Sequence, residues 1–234
     1  MAFVGTREPS VEPVAQDELG PVLLVPGYGG STAALEVLAA ALEAEGRDAD
    51  VVSLEGDGTG DLREQAQVLD AAVDAAIERT SAPSVDVIGY SAGGVIARLW
   101  VADFGGGDSA RRVLTLGSPH HGTDVAALAV DVAPDRCPAA CQQLAPDSDL
   151  LRQLNSGDET PDGPFWVSLW TTEDKVVVPP ATAQLAGALN IPVQSVCGGV
   201  SITHGDLPRD AAVIALTLKG LGQATPSRPS ARDC

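Results

Sequence analysis

Short apolar runs alternate along the chain with longer amphipathic stretches. The runs at 21–25 and 85–88 are largely apolar and of strand length, as expected of strands that are buried on both faces. After the first run, leucines recur at helical spacing until Gly46, which predicts a helix over 31–45. Strands separated by helices of this length predict right-handed β-α-β crossovers and a mostly parallel sheet.

The same alternation recurs in later parts of the chain. It predicts further strands at 50–54, 112–116, 166–170 and 193–196, and further helices over 62–77, 92–104, 148–154, 181–189 and 207–219. Pro208 in the first turn of the last helix and Gly220 after its end fit the usual asymmetry of helix termini. We therefore expect one α/β domain over 19–222, with a flexible segment at 1–18 and a loose, Pro/Ser/Arg-rich tail at 223–234.

The stretch 120–164 interrupts this alternation. It is rich in Asp, Pro and Gly, and its one clear helical piece is the helix predicted at 148–154. Long irregular excursions from a compact α/β chain are often lids or binding loops. A passive surface insertion is the equally weighted alternative. Within this stretch, the apolar residues at 125–132 either line a pocket or pack a loop.

Composition and charge narrow the range of partners. Of the 234 residues, 44% are hydrophobic, which supplies enough apolar material for a sizeable core and argues against disorder of the whole chain. Acidic residues outnumber basic ones by 32 to 14, a net charge of −18 that disfavours nucleic acid and anionic lipid as partners. No apolar run approaches the roughly 20 residues of a transmembrane helix. The first ten residues lack the features of a signal peptide.

Four cysteines are too few for a disulfide scaffold, but two of them lie close together. The spacing of Cys137 and Cys141 matches no standard zinc pattern, and three histidines in the whole chain leave few partners for one. An i,i+4 pair in a tight turn can satisfy disulfide geometry, so we predict a local bridge and an oxidising compartment. The remaining pair, Cys197 and Cys234, is available for a second bridge that would hold the tail.

The sharpest chemical signal is the pentapeptide Gly89-Tyr90-Ser91-Ala92-Gly93, between a predicted strand and a predicted helix. A serine on such a turn has strained backbone geometry, and small residues two positions before and after it avoid clashes. Its hydroxyl then projects above the carboxyl ends of the strands, at the positive end of a helix dipole. This context predicts that Ser91 is a nucleophile rather than an ordinary turn residue.

A serine hydroxyl needs a base, and only three histidines are available. His204 lies in a late loop between a strand and a helix, on the same sheet edge as Ser91, and is the predicted base. His120 and His121 also follow a strand. The proline-fixed turn before them indicates a structural or substrate-facing role instead, capping loops by hydrogen bonds.

The base in turn needs an acid to fix its tautomer. Glu173 and Asp174 both follow the strand predicted at 166–170, and Asp174 is the predicted partner of His204. A plain surface ion pair with Lys175 is the alternative for these acids. The resulting order of serine, aspartate and histidine is that of α/β-hydrolases.

A tetrahedral intermediate needs two donors for its oxyanion, usually backbone N–H groups. The amide of Ala92 follows the predicted nucleophile, and the glycines around Tyr28 allow that residue's amide to turn inward.

The turn-rich stretch 57–61 resembles a calcium loop only superficially, because it lacks the glycine at the sixth position and the closing glutamate. No metal or other cofactor is expected.

These segments together resemble the α/β-hydrolase lipases, in particular small bacterial lipases with a minimal six-stranded sheet. The resemblance extends over about 20–221 and is carried by VPGYGG, GYSAGG, LGSPHHGT, TTEDKVVVPP and THGDLP. It implies a Ser91, Asp174 and His204 triad, with Tyr28 and Ala92 as the oxyanion hole. Two features depart from the family: Pro26 stands where many relatives carry a histidine, and the smallest such lipases lack the cysteine-bearing excursion.

The resemblance implies a serine carboxylic-ester hydrolase, a lipase or esterase, that works through an acyl-enzyme on a small-molecule or lipid ester. An acyltransferase or thioesterase on the same triad is the alternative, and a non-catalytic binding module is a third. The chain also resembles secreted actinobacterial lipase-like proteins. We therefore expect a secreted monomer whose signal peptide has been removed, with a cytoplasmic location as the alternative.

Overall fold

Six parallel strands form the central sheet of the computed structural model, which describes residues 14–234. The strands are β1 (Val22–Val25), β2 (Ala49–Val51), β3 (Val85–Tyr90), β4 (Ala110–Leu116), β5 (Phe165–Trp170) and β6 (Leu189–Pro192). From one edge to the other their order is β2-β1-β3-β4-β5-β6. All neighbours pair in parallel, as the alternation of the sequence predicts.

Helices cover both faces of this sheet. They are α1 (Ala33–Ala44), α2 (Leu62–Thr80), α3 (Ala92–Asp103), α4 (Asp124–Val132), α5 (Ala139–Gln143), α6 (Asp149–Leu154) and α7 (Ala211–Gly220). Side chains on a strand point alternately to opposite faces. Accordingly, Val22 and Leu24 of β1 pack in the cluster that includes α1 and α7, whereas Leu23 and Val25 pack in the cluster that includes α2 and α3. The central strands are buried on both faces and largely apolar, and the charged Asp86 of β3 and Arg111 of β4 are paired with each other in the interior.

A parallel arrangement brings the carboxyl ends of all six strands to one edge of the sheet. The loops after β1, β3, β5 and β6 therefore meet there, and these loops carry Tyr28, Ser91, Asp174 and His204. The fold thus places the predicted site residues in one neighbourhood.

The sequence prediction is wrong between β5 and α7. Instead of a helix over 181–189 there is a short 3₁₀ turn, Pro180–Ala183, and the last strand is Leu189–Pro192 rather than 193–196. Gly187 has a φ of 89°, which no helix accommodates, and the side chain of Asn190 bonds the amide and carbonyl of Leu185. Local polar bonds therefore replace the helix that the apolar spacing suggested.

The start of the last helix and the helices within 120–164 also differ from the prediction. The last helix begins at Ala211 rather than near 207, because Asp210 caps it by accepting the amides of Ala212 and Val213. Pro208 therefore precedes the helix instead of lying in its first turn. Within 120–164, α4 and α5 were not predicted, and α4 is capped by the side chain of Thr123.

Both predicted disulfides are present. Cys137 and Cys141 are bridged across a separation of 4 residues, and Cys197 and Cys234 across a separation of 37. The second bridge attaches the end of the tail, and Lys219 forms an ion pair with Asp233 at 2.7 Å. No helix within residues 14–234 is both long and apolar enough to span a membrane.

Candidate active site

Ser91 lies on the sharp turn between β3 and α3. Its φ of 53° is in the left-handed region, one of two such values among the non-glycine residues described, and its amide donates to the carbonyl of Leu116 at 2.9 Å. The flanking glycines are required by close packing. A Cβ on Gly89 would lie 2.4 Å from the Cα of Gly94, and one on Gly93 would lie 2.2 Å from the carbonyl oxygen of Val25. The backbone therefore holds the serine hydroxyl out of the turn.

His204 lies between Ser91 and Asp174. Its Nε2 is 3.0 Å from the Oγ of Ser91, and its Nδ1 is 2.6 Å from Oδ2 of Asp174. The other oxygen of Asp174 accepts the amides of Val176 and Val177, both at 2.8 Å. Because Asp174 is 2% exposed, this carboxylate has its acceptor sites filled by protein donors rather than by water.

The two candidate acids separate clearly in the structure. Glu173 accepts a hydrogen bond from the hydroxyl of Ser201 at 2.7 Å, whereas Asp174 faces His204. Within the described residues, Lys175 forms no salt bridge with either carboxylate. An Nδ1–H that donates to Asp174 leaves the Nε2 lone pair of His204 directed at the hydroxyl of Ser91, which suits proton acceptance.

Tyr90 supports His204 from one side. The centroids of its phenol ring and the imidazole are 5.2 Å apart, and its hydroxyl donates to the His204 carbonyl at 3.2 Å. Burial, and then the charge of Asp174, raise the pKa of Tyr90 to about 12, so the phenol stays protonated as a donor. Gly117 lies beside the same histidine with a φ of 55°, and a Cβ there would be 3.3 Å from Nδ1 of His204 and 2.5 Å from a methyl carbon of Leu207.

The short turn that carries His204 is capped at its start. Thr203 and Asp206 form a reciprocal capping box, in which the Asp206 carboxylate accepts the amide of Thr203 at 3.1 Å and its hydroxyl at 2.5 Å. The hydroxyl of Thr203, followed by the guanidinium of Arg209, lowers the pKa of Asp206 to about 2. The carboxylate therefore keeps its charge, and the capping box its acceptor, over the ordinary pH range.

Two backbone amides next to Ser91 are free. The N–H groups of Tyr28 and Ala92 donate to no acceptor within residues 14–234. The loop that carries Tyr28 approaches closely, since a Cβ on Gly27 would lie 2.9 Å from the Cβ of Ser91. Pro26, the departure from the family pattern, lies in this loop but does not remove either donor.

The other two histidines face different partners. His120 is fully buried, with Nε2 3.1 Å from the hydroxyl of Thr115 and Nδ1 without a partner in the described part of the chain. Burial, and then the nearby charge of Arg98, hold its pKa well below the ordinary value. His121 pairs with Glu159 at 2.8 Å. Neither imidazole bonds Ser91.

An apolar cavity of about 280 Å³ opens next to Ser91. Three of its lining residues were predicted site residues: Ser91 as the nucleophile, Tyr28 in the oxyanion hole and Cys141 in a disulfide. The sequence left the apolar run of α4 open between a pocket and a loop, and it assigned no role to the other lining residues. The lining comes from several separate segments: Tyr28, Ser91, Pro119, Thr123, Val125, Ala126, Ala129, Arg136, Cys141, Leu144, Val176 and Val177. A sequence pattern cannot reveal such a wall because only the fold brings these segments together.

Helix α4 forms one side of this cavity. Val125, Ala126 and Ala129 line it, while Ala127 and Val130 line a larger open groove of about 850 Å³ on the other side of the helix, which does not include Ser91. Apolar side chains of α4 also face outward, with Val132 73% exposed. The run 125–132 therefore does line a pocket, one of the two alternatives left open by the sequence.

The described residues contain no cluster of three or more His, Cys, Asp or Glu side chains able to hold a metal ion. In the stretch 57–61, Asp57 is engaged locally, since its Oδ1 accepts the amide of Thr59 at 3.0 Å and its hydroxyl at 2.5 Å. The hydroxyl of Thr59, followed by its amide, lowers the pKa of the Asp57 carboxyl.

The parallel six-stranded sheet and the serine on its strand-to-helix turn define an α/β-hydrolase fold. Residues 67–204, more than half of the chain, match the sequence profile of the family described as Lipase (class 2). The chain belongs to that family.

Solved structures with this fold include lipases and an esterase. Aspergillus fumigatus lipase B is 19% identical, with a TM-score of 0.71 over 87% of this chain and 52% of that one. Bacillus licheniformis lipase BlEst2 in its propeptide form is 17% identical, with a TM-score of 0.70 over 95% and 53%. The Exiguobacterium antarcticum esterase is 13% identical, with a TM-score of 0.55 over 81% and 87%. The chain thus spans about half the length of the first two structures. No curated protein matches its sequence.

Proposed function

We propose that the protein is a serine carboxylic-ester hydrolase in which Ser91, His204 and Asp174 form the catalytic triad. The main support for this assignment is the position of His204, whose two ring nitrogens lie within hydrogen-bond distance of a strained serine and a buried aspartate. Family membership and the free amides beside Ser91 support the same reaction class.

In the first half of the proposed reaction, Nε2 of His204 takes the proton of Ser91 as Oγ attacks the ester carbonyl carbon. The carbonyl oxygen becomes an oxyanion, which accepts hydrogen bonds from the amides of Tyr28 and Ala92. When the intermediate collapses, the carbon–oxygen bond to the alcohol breaks and His204 returns the proton to that alcohol. An ester between the acyl group and Ser91 remains.

In the second half, His204 takes a proton from water and the hydroxide attacks the acyl carbon. The bond to Oγ breaks, Ser91 recovers its proton, and the carboxylic acid leaves. Asp174 stabilises the imidazolium that forms in each half. The amides of Val176 and Val177 hold its carboxylate in place for this role.

The cavity indicates the size of the acyl group. Its volume of about 280 Å³ is near the lower end of the ~300–1,000 Å³ usual for ligand pockets. Most of its lining is aliphatic, and the hydroxyl of Thr123, its one other side-chain hydroxyl apart from those of Ser91 and Tyr28, is bonded to the backbone of Val176 and Val178. We therefore propose short to medium acyl chains as the substrates.

The two disulfides support the proposal that the protein works in an oxidising compartment, as a secreted protein does.

Replacement of the nucleophile tests the assignment. We expect Ser91→Ala to lower the turnover of 4-nitrophenyl butyrate by about a thousandfold or more, with an unchanged circular dichroism spectrum. Ser53→Ala, at an exposed serine, is the matched control and should behave like the wild type. A fluorophosphonate should label the peptide that contains Ser91. Turnover that survives in Ser91→Ala, or a label on another serine, would refute the triad. Added alcohol that captures most of the acyl group would redirect the assignment to an acyltransferase.

A further inference from the structure

Arg136 is the one charged residue that lines the cavity beside Ser91. The surrounding wall is largely aliphatic, with Val125, Leu144 and Val176 among its members. An arginine on such a wall can simply cover apolar surface with its methylene stem. Whether its guanidinium is already paired within the protein distinguishes that possibility from a binding role.

The guanidinium of Arg136 has no partner within the described residues. No carboxylate of residues 14–234 lies within 4.0 Å of it, and it donates no hydrogen bond to them. Several other arginines are paired, as Arg63 is with Asp103 at 3.1 Å and Arg111 is with Asp86 in the interior, whereas the exposed Arg232 of the tail, like Arg136, has no side-chain partner among the described residues. An unpaired cation at the cavity contrasts with a chain that carries a net charge of −18.

The backbone around Arg136 is fixed. The residue ends the short 3₁₀ turn Pro134–Arg136 and precedes Cys137, which is buried and bridged to Cys141, itself part of the cavity wall. The side chain of Gln142 donates to the Cys137 carbonyl at 2.8 Å. The guanidinium is therefore free while the chain that carries it is anchored against the cavity.

We propose that Arg136 binds a carboxylate carried by the ester substrate. This inference rests on the proposed hydrolase function of Ser91. A planar guanidinium binds a carboxylate through two parallel hydrogen bonds, and the exposed side chain of Arg136 keeps its donors available for one. Because Arg136 is the one charged residue in the lining of the cavity, the anion would be bound at this wall, in the same cavity as Ser91. Neutral esters would occupy the cavity without using Arg136.

Matched substrate pairs test this selectivity. On the acyl side, 4-nitrophenyl monoesters of dicarboxylic acids of increasing length are compared with neutral 4-nitrophenyl esters of equal length. On the alcohol side, the butyrate of 4-hydroxy-3-nitrobenzoate is compared with 4-nitrophenyl butyrate. The carboxylate can reach Arg136 from either the acyl or the alcohol side of the ester, so we expect an effect in one of the two comparisons. There, Arg136→Gln should lower kcat/KM about 10-fold for the anionic ester and less than about 2-fold for the neutral one. Arg136→Lys should fall between, and the loss should shrink at high salt.

The outcomes separate the two proposals. Arg232→Gln, at an exposed arginine in the tail, is the control and should leave every ratio unchanged. Equal loss on neutral and anionic esters, or no loss on either, would overturn the proposed anion site. Binding of the same anionic esters to Ser91→Ala, measured by calorimetry with and without Arg136→Gln, reads the site without turnover. If the wild-type protein shows no esterase activity but the anionic esters still bind in a way that depends on Arg136, the anion site is supported and only the hydrolase assignment is rejected.

Discussion

Tyr90 contacts His204 in two ways: its ring lies beside the imidazole at a tilt of 33°, and its hydroxyl donates to the carbonyl of the same residue at 3.2 Å. Tyr90 is also the neighbour of Ser91 in sequence. The same residue that precedes the serine therefore supports the histidine that would activate it, so the positions of the two groups are linked through one side chain.

Tyr90→Phe separates the two contacts. The ring remains, but the hydrogen bond to the loop of His204 is lost, and we expect kcat to fall by about 3- to 10-fold with little change in KM. Tyr90→Ala, which also removes the ring, should cost more. Separate values of kcat and KM are the informative measurement, since a misplaced imidazole slows the chemical step without weakening substrate binding. Wild-type kinetics in Tyr90→Phe would mean that the hydroxyl contributes nothing to positioning.

Asp174→Asn should lower kcat by about a thousandfold or more. An amide of the same shape can donate to Nδ1, which favours the histidine tautomer that cannot accept the proton of Ser91. Glu173→Gln is the matched control, because that neighbouring carboxylate bonds Ser201 instead of His204 and should retain near wild-type rates. The assignment of the acid would be reversed if the control lost activity and Asp174→Asn kept it.

Acid should destabilise the fold through His120. Its pKa is lowered in the folded protein, so below about pH 6.5 the unfolded chain binds a proton that the folded chain does not. Stability from this group is complete above that pH and is lost as the pH falls from there towards the folded pKa, at up to about 1.4 kcal/mol per pH unit. Urea unfolding between pH 7 and 5 should therefore show a shallower loss in His120→Gln than in the wild type. Parallel slopes would contradict the prediction.

The two disulfides should differ in their contribution to stability. In the chain-entropy description, a bridge across 4 residues stabilises by about 2 kcal/mol and one across 37 residues by about 4 kcal/mol. Urea unfolding of Cys137→Ser/Cys141→Ser and of Cys197→Ser/Cys234→Ser measures each. The first pair should also change ester kinetics, since Cys141 lines the cavity. A larger stability loss from the short bridge would show that it does more than restrict the unfolded chain.

Sequence patterns predicted those parts of the fold that depend on local order. The apolar strands before Ser91 and Asp174 are simple to recognise, and a parallel sheet places the ends of such strands at one edge. The approach of His204 to both residues followed from that topology, while the catalytic roles of the three stay predictions. The prediction for 181–196 was wrong because the positive φ of Gly187 and the side-chain hydrogen bonds of Asn190 override the apolar spacing.

The cavity wall could not be predicted for a different reason. Leu144, Val176 and Arg136 have no shared pattern in sequence and come to line one cavity only in the folded chain. The apolar run of α4 was visible, but its choice between a pocket and a loop depended on which side of the helix the rest of the excursion covers.

Helix α4 separates the cavity beside Ser91 from the open groove, so the residues on its two sides can be substituted separately. On the inner side, Ala126 and Ala129 are small, and bulkier replacements there would shorten the space left for a substrate tail. On the outer side, Ala127 and Val130 line only the open groove, so substitutions there should leave the shape of the cavity beside Ser91 unchanged. One helix thus offers a place where relatives of this chain could diverge in chain-length preference while keeping the same chemistry.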